Sequence, residues 1–247
     1  MLFLSSLLLA SASLAAAAPS RRSSSCKAHA VSLPTNSNGT PLPSPPAGLS
    51  LKYIGLGHGY QNYTCATAGS SPVATGALAI LYDALPLYPG HSPSSLSLSS
   101  WLALPAAALS TPIALNLSPF TPHVALSAEG ASVSPFPASP APLSLTHSLP
   151  AIGKHFFDAT GTPNFFVGPH DHMVATKLAA QNAPSDAPTG PHGEAAVTWL
   201  YLGDKGNSTG LSAVYRVETA AGQAHECTQA GEDSSVYAAF YFFYGAK

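Results

Sequence analysis

Three short segments of the chain contain residue types that could do chemistry, and the first of them is rich in glycine. Gly55, Gly57 and Gly59 follow the strand-like segment LKYI, as in a loop that binds a dinucleotide. That motif needs a glycine at position 60, which is Tyr60, and a following helix to hold the pyrophosphate. The next residues are instead typical of a strand and a turn. We therefore predict two strands joined by a glycine turn, and no cofactor.

A second segment, GNSTG at 206–210, matches the GxSxG motif of serine hydrolases. Glu218 and His225 follow it in the order of a catalytic triad. The motif requires a strand, a sharp turn and then a helix, whereas here the strand-like LSAVYRVET follows. The sequence therefore predicts a hairpin loop rather than a nucleophile.

A third segment contains His170 and His172, which in a strand would lie on one face and could share a metal ion. Pro169 precedes them in a segment interpreted as a loop, so we predict exposed histidines and no metal site. Paired carboxylates for glycoside hydrolysis must face each other across a cleft. The eleven acidic residues fall mostly in turn-like segments, so the catalytic residues stay unknown.

The N-terminal residues are typical of a secretory signal peptide. Residues 1–18 form a short apolar run that ends in small residues, with a predicted cleavage site near Ala17 or Ala18. The apolar core is shorter than the roughly 20 residues that a membrane-spanning helix needs. No later segment is long and apolar enough, so we expect a secreted protein, extracellular or in the cell wall, with no membrane partner.

Three cysteines follow the signal peptide: Cys26, Cys65 and Cys227. In an oxidising compartment two of them should pair. The pair Cys65 and Cys227 is favoured because both residues lie beside strand-like segments, and the pair Cys26 and Cys65 stays open. Closing such a loop would stabilise the fold by roughly 4 to 5 kcal/mol.

The low charge of the chain bears on its partners. Charged residues make up 8% of the sequence and the net charge is −2, so no basic surface exists for a nucleic-acid partner. N-glycosylation sequons occur at Asn38, Asn62, Asn116 and Asn207. A proline follows the sequon of Asn116, and Asn62 is expected to be buried in a strand. Glycosylation is therefore predicted at Asn38 and Asn207.

The chain is organised as a Ser- and Pro-rich arm at 19–48 and one β domain at 49–247. Short β-prone runs separated by Gly, Pro, Ser and Asn predict a mainly β fold, a single antiparallel β-sandwich or barrel with long Pro/Ser-rich loops. The predicted strands include YQNYTCA, PIALNL and LSAVYRVET. A low-complexity insertion at 86–150 is interpreted as rich in loops, with a short helix at 96–109 interrupted by Pro105.

The run 211–219 alternates as a half-buried strand requires. One face carries Leu211, Ala213, Tyr215 and Val217, and the other carries Ser212, Val214, Arg216 and Glu218. Arg216 is the only arginine of the predicted domain.

Six blocks of the chain carry a family resemblance: LPSPPAGLSLKYIGLGHGYQNYTCA, VATGALAILYDA, GKHFFDATGTPNFFV, AAVTWLYL, GLSAVYRVETAAGQAHEC and VYAAFYFFYG. In this order they resemble the secreted family of fungi and bacteria called domain of unknown function 3455. The resemblance covers about residues 42–84 and 150–245 and implies no assigned activity. Family members often bear the label malate dehydrogenase. Arginines normally clamp a dicarboxylate, and the domain has only Arg216, so we expect no such activity.

The leading hypothesis is a non-enzymatic secreted β domain that binds a cell-wall polysaccharide or an extracellular protein. Tyr237, Tyr241 and Tyr244 could stack on sugars, although most are expected in the core. The alternative is a carbohydrate-active hydrolase that uses carboxylates, or His155 and its neighbours. Two carboxylates about 5 to 10 Å apart in one cleft would favour that alternative.

Overall fold

The computed structural model describes residues 31–117 and 134–247; the predicted signal peptide and Cys26 lie outside them. In chain order, the strands of these residues are β1 (Leu49–Cys65), β2 (Val73–Asp83), β3 (Leu143–Ser144), β4 (Ser148–Leu149), β5 (Ala151–Phe157), β6 (Pro163–Val167), β7 (Asp171–Gln181), β8 (Trp199–Asp204), β9 (Ala213–Ala221) and β10 (Gly231–Ala246). The helical segments are a 3-10 turn at Leu85–Leu87, α1 (Leu98–Leu102) and α2 (Leu104–Ala108).

Eight of these strands close into an antiparallel barrel. Each pairs with the next along the chain, in the order β1, β2, β5, β6, β7, β8, β9 and β10, and β10 pairs in turn with β1. β3 and β4 form a separate hairpin. The predicted mainly β, antiparallel sandwich or barrel is thus confirmed as a barrel, a closure that leaves no free sheet edge.

β1 is one continuous strand, so the prediction of two strands joined by a glycine turn is wrong. Its glycines are needed for close packing inside the barrel. A Cβ atom on Gly57 would lie 2.5 Å from the ring of Tyr241, and one on Gly59 would lie 1.9 Å from the carbonyl oxygen of Leu78. A strand face without side chains therefore lets neighbouring backbone and large rings approach closely.

Both faces of much of the barrel wall are buried. The interior contains Phe165, Met173, Leu202 and other apolar side chains. The outer face of β1, β2, β9 and β10 packs under α1 and α2, where the ring of Trp101 stacks on Phe240 with 3.9 Å between centroids. Successive side chains of a strand such as β9 therefore point alternately into the barrel interior and toward the covered outer face, and both environments are buried.

The insertion at 86–150 contributes the cover of this outer face. The hydroxyl of Ser97 caps α1 by accepting a hydrogen bond from the Ser100 amide. Pro105 lies in the first turn of α2, where its missing N–H costs nothing. The expected helix interrupted by Pro105 is therefore present as two short helices. The strand predicted for PIALNL (112–117) is wrong, because the barrel closes without it and offers it no edge.

Cys65 and Cys227 form a disulfide with 5.6 Å between their Cα atoms. It joins the end of β1 to the loop between β9 and β10, so Cys65 is not available to Cys26. No helix in the two described ranges is both long and apolar enough to span a bilayer.

Candidate functional site

A cavity of about 410 Å³ lies inside the barrel. Its apolar wall includes Phe157, Phe165, Leu200 and Leu202, which come from β5, β6 and β8. Its polar lining includes Gln61, His155, Thr198, Arg216 and Tyr241. The size and the mixture of apolar walls with a few polar groups are those of a site for a small molecule.

The cavity opens between β7 and the turn that joins β5 to β6. β7 pairs with β6 only as far as Val174 opposite Asn164 and continues beyond it to Gln181. The exposed residues Lys177 and Lys205 line this part of the cavity. Two ammonium groups therefore lie at the rim, where they raise the local concentration of anions.

Arg216 is the buried cation of the cavity. The alternation of β9 turns its side chain inward, and the residue is 8% exposed. Its Nε and Nη2 atoms donate to the carbonyl oxygen of Thr198 at 3.2 and 2.9 Å, and Nη1 lies 3.5 Å from Oε1 of Gln61. No carboxylate within the described ranges forms an ion pair with it. A guanidinium has five N–H donors, so some remain for a ligand.

Gln61 and two tyrosines surround this guanidinium. Nε2 of Gln61 is buried and has no hydrogen bond of good geometry. The hydroxyls of Tyr237 and Tyr241 bond to each other at 2.9 Å. Burial raises the pKa of both phenols, against the opposing effect of Arg216. Both tyrosines are therefore uncharged at neutral pH, and they do not compensate the arginine charge.

His155 lines the same cavity from β5. Its Nδ1 atom lies 2.9 Å from the carbonyl oxygen of Asn164, and its ring stacks on Phe165 with 3.9 Å between centroids. Burial lowers the pKa of His155 to about 3; the bond to Asn164 opposes this shift and Arg216 adds to it. The imidazole is therefore neutral at physiological pH.

The lining is cationic overall. It contains Arg216, Lys177 and Lys205, and none of the described residues that line it is aspartate or glutamate. A pair of carboxylates across a cleft, which a glycoside hydrolase needs, is not formed by these residues. The arrangement can hold an anion with an apolar body.

The structure does not assemble the serine hydrolase triad. Ser208 bonds to Asp204 and accepts from the Val174 amide at 2.9 Å. Its loop precedes β9, whereas His225 follows β9, and nine strand residues span roughly 30 Å. Burial, and to a smaller extent the negative charge of Asp186, raises the pKa of the Glu218 carboxyl to about 7.

His225 is instead held between two buried carboxylates at the disulfide end of the barrel. Its Nε2 lies 2.9 Å from Glu194 and its Nδ1 lies 2.9 Å from Asp233. Burial lowers the pKa of His225, but the bonds to Asp233 and Glu194 outweigh it and the net shift is upward. These contacts link the loop before β8 to the start of β10, so the cluster has a structural role.

The histidines of the third motif are also separated. His172 lies in β7 rather than in the predicted loop, where its Nε2 bonds to Asn164 Oδ1 at 2.9 Å and its ring stacks on Phe166. His170 is exposed in the preceding turn. Across residues 31–117 and 134–247, no group of three or more His, Cys, Asp or Glu could hold a metal.

The predicted glycosylation sites differ in their surroundings. Asn207 is exposed in the loop between β8 and β9. Asn38 is half-buried, and its Nδ2 donates to the carbonyl oxygen of Ala183 at 3.0 Å. Glycosylation of Asn38 would have to break that bond, so glycosylation at both sites stays a prediction.

The three tyrosines considered for sugar stacking are buried. Tyr237, Tyr241 and Tyr244 are 0%, 1% and 6% exposed, because β10 is covered on both faces. The expectation that most of them lie in the core is confirmed, and none of the three is exposed at the surface for stacking on a sugar.

Sequence reasoning had placed Arg216 on the polar face of a half-buried strand and missed the cavity. The available signal was a single arginine among apolar neighbours in a chain with few charges.

The chain matches the sequence profile of a known family. The sequence profile described as "Protein of unknown function (DUF3455)" matches residues 45–245, which includes the cavity and all of the barrel strands except the last residue of β10. No curated protein and no solved structure matches the chain. The chain therefore belongs to the DUF3455 family of proteins of unknown function, as its sequence blocks had indicated.

Proposed function

We propose that this protein binds a small organic anion, a carboxylic acid with an apolar body, inside its barrel. The observation that carries the proposal is Arg216, a buried guanidinium that lines the cavity with no carboxylate partner within the described residues. Burying an unpaired charge costs several kcal/mol. A carboxylate ligand would recover that cost and would use the N–H donors that Thr198 and Gln61 leave over.

The neighbours of Arg216 support an anion rather than a neutral sugar. Nε2 of Gln61 is a second buried donor, with no hydrogen bond of good geometry to any of the described residues, and its amide already lies against the guanidinium. The two rim lysines add positive charge along the path inward. Phe157, Leu200 and other apolar side chains would enclose the rest of the ligand.

The cavity favours binding over catalysis. His155, its only imidazole among the described lining residues, is neutral with a pKa of about 3 and is therefore a weak general base at neutral pH. We propose an extracellular or wall-associated carrier or sensor of such acids. The expected signal peptide and the Cys65–Cys227 disulfide support this location.

Isothermal titration with 3-phenylpropionate and with its uncharged amide tests the proposal. The acid should bind the wild-type protein at one site and bind more tightly than the amide. Arg216→Met should weaken binding of the acid by about 10- to 100-fold, since a hydrogen bond to a charged group contributes about 1.5 to 3 kcal/mol.

Lys154→Met is the matched control for this substitution. It removes the same charge from the outer face of β5, where Nζ lies 5.2 Å from the centre of the Phe136 ring. The control should bind the acid as the wild type does. Equal weakening by both substitutions, or equal binding of acid and amide, would contradict the proposal.

A further inference from the structure

We infer that the natural ligand is a hydroxylated carboxylic acid, and that its hydroxyl donates a hydrogen bond to Nε2 of His155. The inference rests on the proposed function, because it concerns the same cavity. It is carried by the fixed tautomer of His155 and by the absence of a donor for Nε2 among the residues that the structure describes.

The backbone fixes which nitrogen of His155 carries the proton. A carbonyl oxygen only accepts hydrogen bonds, so the contact of 2.9 Å with the Asn164 carbonyl places the proton on Nδ1. Nε2 then has a lone pair and no hydrogen. The nearly parallel stacking on Phe165, with 3° between the ring planes, holds the ring in this orientation. His155 therefore presents a pre-oriented acceptor.

Two neighbouring donors of the protein have partners of their own. Lys205 donates from Nζ to Thr162 at 2.7 Å, and the bond between the hydroxyls of Tyr237 and Tyr241 uses one of their two protons. Within the described ranges no side chain donates to Nε2 of His155, which is 3% exposed and lines the cavity. A hydroxyl of the ligand would meet a pre-oriented acceptor there, so its hydrogen bond would be favourable.

The charge and the walls of the cavity indicate which donor this is. Arg216 acts electrostatically on His155, and two lysines lie at the rim. An ammonium group on the ligand would be repelled, which leaves an uncharged donor. A hydroxyl satisfies Nε2 with one polar atom, which suits walls formed by Phe157 and Phe165.

Calorimetry with a panel of related acids tests the inference. The panel is 3-phenylpropionate, its three ring-hydroxylated isomers and 2-hydroxy-3-phenylpropionate. At least one hydroxylated acid should bind the wild-type protein about fivefold more tightly than the parent, as expected for one neutral hydrogen bond. In His155→Phe, which keeps a ring against Phe165, the ratio of the affinities for the hydroxylated and the parent acid should fall to about one, whatever the affinity of the variant for the parent acid.

A second measurement needs no variant. In long-range proton–nitrogen NMR spectra of the wild-type protein, the Nε2 resonance of His155 should shift when the favoured hydroxy acid is added and stay in place with the parent acid. No advantage for any hydroxylated acid, an advantage that persists in His155→Phe, or an unmoved Nε2 resonance would each overturn the inference. These results would leave the proposed function intact, whereas failure of the parent acid to bind would defeat both.

Discussion

Replacing Gly59 with alanine should destabilise the barrel far more than the same replacement at Gly55, although both belong to the motif GLGHG. A Cβ atom at Gly59 would lie 1.9 Å from the carbonyl oxygen of Leu78 and 2.6 Å from the Cα atom of Ala79. A Cβ atom at Gly55 would meet its nearest neighbours at 3.5 Å, an ordinary contact. The two substitutions therefore add the same methyl group to different environments.

The size of the difference follows from this geometry. At Gly59 the obstacle is backbone, so β1 and β2 must separate by about 1 Å or more to relieve it. That displacement would break one or two ladder hydrogen bonds at about 1 kcal/mol each and add strain of about 1 to 3 kcal/mol. We expect a loss of about 2 to 5 kcal/mol. At Gly55 the change should stay within about 1 kcal/mol, because alanine also restricts the unfolded chain.

Urea unfolding followed by circular dichroism measures both variants. With a slope of about 1 to 3 kcal/mol per molar urea, Gly59→Ala should lower the midpoint by about 0.7 M or more. Gly55→Ala should unfold close to the wild type. Equal midpoints for the two variants, or a wild-type midpoint for Gly59→Ala, would refute the packing role assigned to the motif.

Three further predictions concern stability. Removing the disulfide by Cys65→Ser together with Cys227→Ser should lower the free energy of unfolding by about 5 kcal/mol, because the bridge closes a loop of 162 residues; a loss below about 1 kcal/mol in urea unfolding would contradict this. His225→Gln should reduce stability at pH 6. The folded-state pKa of His225 is raised, so its contribution is complete below the unfolded pKa and is lost as the pH rises through the folded pKa. Melting temperatures should therefore converge toward pH 9, and a gap that widens with pH would be the wrong sign. Arg216→Met should leave the unfolding free energy of the ligand-free protein unchanged or raise it by up to about 2 kcal/mol, since it removes a buried charge that has no carboxylate partner among the described residues. A loss above about 2 kcal/mol would indicate a structural role.

The sequence predicts the fold class because the signals for β structure are local. β-prone runs between turn residues, and the alternation at 211–219, follow from side-chain chemistry alone. Closure of the barrel cannot be predicted from local side-chain chemistry, because it depends on the pairing of β1 with β10, which are separated by most of the chain. GLGHG was misread for this reason, because its glycines serve contacts with β2 and with Tyr241 that only the closed barrel creates.

The candidate site could be predicted only in part. The alternation in β9 separates Arg216 from Tyr215 and Val217, but a half-buried strand and a barrel wall give the same pattern. Only closure of the barrel places the face of β9 that carries Arg216 in the interior. Only the register of β5 brings His155 to the same cavity. The whole of β7 is missing from the predicted strands, because its first residues follow Pro169, which is typical of a turn, and are interpreted as a loop.

The central claim, that the buried guanidinium binds the carboxylate of an organic acid, is tested most directly by NMR of the Nε–H group of Arg216. The chain has three arginines, and Arg216→Met identifies the resonance by its loss. The account predicts that this resonance shifts and saturates as 3-phenylpropionate is added, and that the uncharged amide leaves it in place. Binding of the acid with an unmoved Arg216 resonance would contradict the claim.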